Sequence, residues 1–243
     1  MGNRGKARKE SGESLNEYKG TKGKSHKFKG KSTTSHEYSS AGLADMLEFF
    51  QKNSNYDELL AGLDSRGRDY MDVWTRGHFM HGQQYQGWDN MSAEDRRYTK
   101  FYDDLIEKST INQGITVSRL ATTELLFGER KYSVTEDELK AVMGNPVTSR
   151  GHMSSGAAEV GLTIGSYKPI EYKFITKGAT KGVAMYIGDY RATRWGSDQR
   201  EVMIQRDTVW KPTGYKYDKD RDVWVVNMEY VGKERHDYGK SKK

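Results

Sequence analysis

The chain has 243 residues, enough for one good-sized domain with a real core, but only 34% are hydrophobic and 26 are glycine, which implies long polar loops or an unfolded segment. Its formal net charge of +6 belongs to residues 1–40, which hold ten Lys or Arg against four Glu, so the remainder is close to neutral, which argues against a nucleic-acid-binding surface on the folded part. Absence of cysteine excludes disulfides, Cys-based zinc sites and a thiol nucleophile. No apolar run is long enough to span a bilayer and the N-terminus lacks a signal-peptide core. The expectation is a soluble protein, cytoplasmic or delivered into a target cell by a non-classical route.

Residues 1–40 are Gly, Ser, Lys and Thr with almost no aliphatics, and cannot bury enough surface to offset their ordering entropy. They read as a disordered basic tail, with weak nucleic-acid or anionic contact as its functional reading. Leu43, Met46, Leu47 and Phe50 then fall at helical spacing, and Tyr56, Leu59, Leu60 and Leu63 repeat it, with Asn55 and Glu58 set as a cap and its partner. Residues 66–74 add a short helix holding Tyr70, Val73 and Trp74. A loop over 77–90 carries His78 and His81, which have no third ligand nearby and read as an exposed or satisfied pair rather than a metal site. Ser92 with Asp95 opens a helix whose buried stripe is Tyr98, Phe101, Tyr102, Leu105 and Ile106; Asn112-Gln113-Gly114 then turns the chain.

From there the pattern becomes mainly β. Ile115 to Arg119 is a β-branched run ending in an arginine, and Thr135 with Glu138 makes a capping box for one more helix. Gly151 to Gly156 is a polar passage containing Ser154 and Ser155. Ile170, Tyr172 and Phe174 alternate with Glu171 and Lys173, which predicts a half-buried strand; Lys177 to Gly182 reads as a hairpin turn, with Val183, Met185 and Ile187 on the next strand. The loop 188–198, with Trp195, leads to Gln199-Arg200-Glu201 and the short apolar strand Val202 to Ile204. Gln199 and Glu201, two apart on an extended chain, project to the same side. Val223 to Val231 is the last strong strand, and 233–243 reads as a frayed charged tail. Helices first and strands later predict an α+β fold.

Three features stand in fixed order: a strand ending in Arg119, the Ser154-Ser155 pair, and Gln199-x-Glu201 at the mouth of a strand. This order resembles the Arg, Ser-Thr-Ser, Glu signature of mono-ADP-ribosyltransferases, the family of the clostridial C3-like exoenzymes and several phage transferases. The passage Tyr172 to Gly178 with Ala179 to Ile187 is similar to the family's strand, Lys-Gly turn, strand run, and Glu201 to Arg206 is similar to its Glu, three hydrophobics, polar, Arg run. The chain departs from the pattern at Gly156, where a third serine would stand, at His152, where an aromatic usually precedes the motif, and at Leu120, where a glycine is frequent.

The resemblance implies a helical N-terminal lobe packed on a two-sheet β core, with 41–232 as the ADP-ribosyltransferase domain, 41–114 as its helical lobe and 115–232 as its catalytic core. It implies NAD+ as substrate, an acceptor protein as partner and no metal or membrane. Breaking the nicotinamide–ribose bond builds positive charge on the ribose, which a carboxylate beside it stabilises; the resemblance gives Glu201 that role. Arg119 would bind the diphosphate with its planar fork. Ser154 would orient Glu201 and line the nicotinamide pocket, with Ser155 on the same wall. Gln199 and Trp195 would meet the acceptor, and Gln rather than Glu at 199 implies an acceptor other than arginine. An NAD+ glycohydrolase, and a non-enzymatic nucleic-acid or virion-associated protein binding through its basic tail, are the alternatives.

Overall fold

The computed structural model of the chain describes residues 43–75, 84, 87–156, 169–188, 190 and 201–239. Helices α1 (Leu43–Asn53), α2 (Tyr56–Ala61), α3 (Ser65–Thr75) and α4 (Ala93–Glu107) form the first lobe, with a 3-10 turn at Trp88–Asn90 before α4. Ser92 caps α4 by accepting the Asp95 amide at 3.0 Å, as its sequence predicts. The expected Asn55 cap on α2 is not made. Asn55 reaches 53 residues along the chain instead, donating to the Lys108 carbonyl at 3.0 Å and accepting the Thr110 amide at 2.8 Å. The C-terminal end of α4 leaves carbonyls without helical partners, and the amide of Asn55 satisfies one of them.

The strands that follow are β1 (Thr110–Ile111), β2 (Thr116–Ala121), β3 (Val147–Thr148), β4 (Met153–Ser155), β5 (Ile170–Ile175), β6 (Thr180–Lys181), β7 (Ala184–Tyr186), β8 (Val202–Ile204), β9 (Thr208–Asp218) and β10 (Val223–Lys233). Short helices α5 (Glu124–Phe127) and α6 (Glu136–Val142) lie between β2 and β3, and α6 carries the predicted Thr135–Glu138 capping box. The strands make a five-stranded sheet in the order β2-β5-β10-β9-β3, a three-stranded sheet β4-β8-β7 and a β1–β6 pair. All pairings are antiparallel except β5 with β10. The architecture is α+β, a helical lobe on a core of two sheets.

Two expectations are corrected by tertiary context. β5, an interior strand between β2 and β10, is buried on both faces rather than one. Glu171 on its polar face is 1% exposed and is met by the Arg221 guanidinium at 2.5 Å, while burial pushes the Lys173 ammonium down. Residues 177–182 are not a hairpin turn: they cross from the five-stranded to the three-stranded sheet, pairing Thr180 and Lys181 with β1 on the way.

The helical lobe docks on the three-stranded sheet through aromatic rings. Phe50 of α1 stacks on Tyr186 of β7 at 4.6 Å, and Tyr56 meets the same ring edge-on at 5.1 Å. The two sheets meet at a bridge between Ser118 of β2 and Gly156 after β4, with backbone bonds of 2.8 and 2.9 Å, and at the corner between β8 and β9. Asp207 turns that corner with φ +58°, a left-handed conformation that aspartate adopts more readily than most residues.

Candidate active site

Among the described candidate residues, Arg119, Ser154 and Glu201 come together where the two sheets meet. Arg119 stands near the end of β2, and its Nη1 donates to the Ser154 carbonyl of β4 at 2.5 Å. Ser154 pairs with Met203 and Ser155 with Val202, so β4 lies alongside the strand that Glu201 opens. The Ile187 amide donates to the Glu201 carbonyl at 2.9 Å, which carries the β7–β8 ladder one step beyond the named strands. Strand alternation then puts Glu201, Met203 and Ser154 on one face, and Val202 and Ser155 on the other. Ser154 is half-buried, Ser155 is buried, and Glu201 is 2% exposed.

A buried carboxylate needs hydrogen-bond donors. Glu201 receives one from the helical lobe: Trp74, in the last turn of α3, donates its indole N–H to Oε1 at 2.7 Å. Two residues earlier, Asp72 accepts the Tyr190 hydroxyl at 3.0 Å, and that hydroxyl lies 3.1 Å from the Arg68 carbonyl. One helix thus holds chain positions 190 and 201. The helix is itself anchored on α4, where the Tyr102 hydroxyl donates to the Tyr70 carbonyl at 2.6 Å and its ring meets Trp74 edge-on at 5.2 Å.

A second network fixes the far end of the β4–β8 pair. Asp103 of α4 accepts a two-pronged guanidinium from Arg206, just past β8, with contacts of 2.9 to 3.1 Å. His152, just before β4, places Nε2 3.0 Å from the same carboxylate. Gln84 completes the clamp: its Oε1 accepts the His152 amide at 2.8 Å, and its Nε2 lies 2.9 Å from His152 Nδ1. Burial works to raise the Asp103 pKa, but the bonds from His152 and Arg206 outweigh it and hold the carboxyl at about 2. Arg206 also reaches Asp207 at 2.9 Å, and His236 Nδ1 lies 3.0 Å from Asp207. The segment read as a frayed tail is therefore tied to this network at His236, and Tyr238 lies under the Arg206 guanidinium at 5.3 Å.

Gln199 and Trp195, expected to meet the acceptor, lie outside the described residues, as do His78 and His81. Among the described residues no group of three His, Cys, Asp or Glu could hold a metal ion, and no helix is long and apolar enough to cross a membrane. Trp74, Asp72, Asp103 and His152 carry no motif. Trp74 and Glu201 are 127 residues apart, so no local signal joins them.

This two-sheet core, with the helical lobe over its smaller sheet, is the fold of mono-ADP-ribosyltransferases of the C3-like exoenzyme and toxin group. Among solved structures it is similar to C3stau2 from S. aureus, determined with NAD (17% identity, TM-score 0.59, covering 79% of this chain and 97% of that one). It is similar also to Plx2a, an ADP-ribosyltransferase toxin from Paenibacillus larvae (14% identity, TM-score 0.60, 78% and 96% covered), and to the Clostridium limosum C3 exoenzyme (15% identity, TM-score 0.56, 76% and 94% covered). No protein-family model matches the sequence and no curated protein sequence does.

Proposed function

We propose that the chain is an NAD+-dependent mono-ADP-ribosyltransferase, moving ADP-ribose from NAD+ to a protein side chain with release of nicotinamide, and that residues 41–232 form its catalytic domain. The observation that carries this reading is the meeting of Arg119, Ser154 and Glu201 at the junction of two sheets, in a fold shared with NAD-using toxins. Three residues spread over more than eighty positions have no structural need to converge.

In this reading Arg119 binds the diphosphate of NAD+, since a guanidinium offers paired donors to phosphate oxygens. Its bond to the Ser154 carbonyl aims it beside β4. Glu201 faces the ribose. As the bond to nicotinamide lengthens, positive charge grows on the ribose, and a fixed carboxylate there lowers the energy of that state more than that of bound NAD+. Ser154, on the Glu201 face of the sheet, orients the carboxylate and lines the nicotinamide pocket; Ser155, expected on the same wall, is buried on the opposite face because successive strand residues alternate, and takes no part in that pocket. Gln199 and Trp195 meet the acceptor. Gln199 lacks the charge that would help deprotonate an arginine guanidinium, which favours an acceptor other than arginine.

The test uses labelled NAD+ and a cell lysate, comparing the parent with Glu201→Ala. Label transfer to a protein by the parent and a loss of at least about a thousand-fold in the variant is the expected outcome. Nicotinamide release with no transfer in any lysate would make the protein a glycohydrolase. Neither release nor NAD+ binding would remove the enzymatic reading.

A further inference from the structure

We propose that Trp74 is a positioning residue for Glu201, acting through its indole N–H; the proposal rests on the reading of Glu201 as the carboxylate that meets the ribose. The last torsion of a glutamate joins tetrahedral to planar carbon and has a broad, two-fold profile, so packing alone sets a carboxylate plane poorly. A hydrogen bond to one oxygen sets it well. The Trp74 N–H makes that bond to Glu201 Oε1 at 2.7 Å, inside a site where Glu201 is 2% exposed. A donor bonded to a carboxylate in such surroundings makes one of the stronger and more directional hydrogen bonds.

The ring that carries this donor has little freedom. It meets the ring of Tyr102 at 5.2 Å and 68° and that of His152 at 6.3 Å and 89°, both edge-on. Tyr102 also bonds the α3 backbone at Tyr70, and His152 is held by Asp103 and Gln84. The donor is therefore held relative to β4, which carries the two serines, and to α4, which clamps His152 just before β4. Indole N–H donates and cannot accept, so Trp74 moves no proton in the reaction. Its effect is on direction: with Oε1 held by the helical lobe, the carboxylate plane is fixed before NAD+ arrives. Such a bond also draws some negative charge from the carboxylate. The two effects oppose each other in kcat, so a measurement separates them.

The experiment compares the parent with Trp74→3-benzothienylalanine, in which sulfur replaces the N–H on a ring of nearly the same shape. Trp74→Phe, Glu201→Ala and the Trp74→Phe, Glu201→Ala double variant complete the set. Nicotinamide release from NAD+ gives kcat and KM, and thermal unfolding reports the fold. The sulfur analogue is expected to keep its Tm, to hold KM for NAD+ within about two-fold and to lose kcat by about ten-fold or more, as misorientation of a reacting group does. Removing the Trp74 ring in the Glu201→Ala background should then cost nothing further, because the two residues act as one unit. Unchanged or raised kcat in the sulfur analogue, losses that add, or an effect on KM alone would overturn the proposal. A parent that neither releases nicotinamide nor binds NAD+ sinks the enzymatic reading instead. The indole 15N–1H signal of Trp74 is then decisive without turnover: the proposal requires it to move in Glu201→Gln, and an unmoved signal refutes the bond.

Discussion

Arg119 illustrates how a residue becomes a candidate by context. On its own it is a charged side chain near the end of a strand. Its guanidinium bond to the Ser154 carbonyl directs it across the junction of the sheets, where it is half-buried. A lysine keeps the charge but not the planar fork, so Arg119→Lys should raise KM for NAD+ by about ten-fold and change kcat little, as loss of uniform ground-state binding does. Steady-state nicotinamide release decides this; a fall in kcat with constant KM would assign Arg119 to the transition state instead. Arg119, Ser154 and Glu201 were legible as a set through their order along the chain. Trp74 was visible as a helical residue only, because its role is a contact with a residue far along the sequence.

At the scale of elements, the helices read well from spacing and caps, and β2, β5, β7, β8 and β10 from β-branched or alternating runs, whereas the eleven-residue β9 (Thr208–Asp218), broken in pattern by Pro212 and Gly214, was not predicted. Ser92 and Thr135 cap as predicted because a cap is made within four residues. Asn55 does not, because the Lys108 carbonyl at the end of α4 and the Thr110 amide engage the same side chain. The short strands that close the small sheet need the helical lobe over them. Phe50 is fully buried and stacks on Tyr186, and Tyr56 meets that ring edge-on. Phe50→Ala should therefore cost about 3–5 kcal/mol in chemical denaturation, through lost burial and the cavity left behind. A cost near zero would mean that the lobe is not coupled to the sheet that carries Glu201.

At the scale of the whole molecule, Asp103 joins the helical lobe to both strands of the candidate site through His152 and Arg206. Its carboxyl is held at about 2 in the folded protein, against about 3.9 for an aspartate in an unfolded chain. The folded pKa is the lower one, so its stabilisation is fully present above pH about 4 and is lost as pH falls through about 2. The difference corresponds to about 2–3 kcal/mol. Denaturation midpoints measured from pH 5 to pH 2 should show that loss in the parent. Asp103→Asn should be less stable at neutral pH by about 2–4 kcal/mol, because the buried Arg206 loses one of its two carboxylate partners and keeps only Asp207, and should lack this part of the acid dependence. A variant that retained the parent's slope would place the acid sensitivity elsewhere.

By itself the sequence determined the α+β class, the helical stripes, most strands and the three-part order of Arg119, Ser154-Ser155 and Glu201. Each of these depends on spacing along the chain or on residues within a turn of one another. Tertiary structure decided the rest: that β5 is interior and buries Glu171 against Arg221, that 177–182 crosses between sheets, that Asn55 serves α4, and that Trp74 bonds Glu201. These turn on which elements become neighbours. Packing brings together side chains tens of residues apart, and no periodicity or local motif records that meeting.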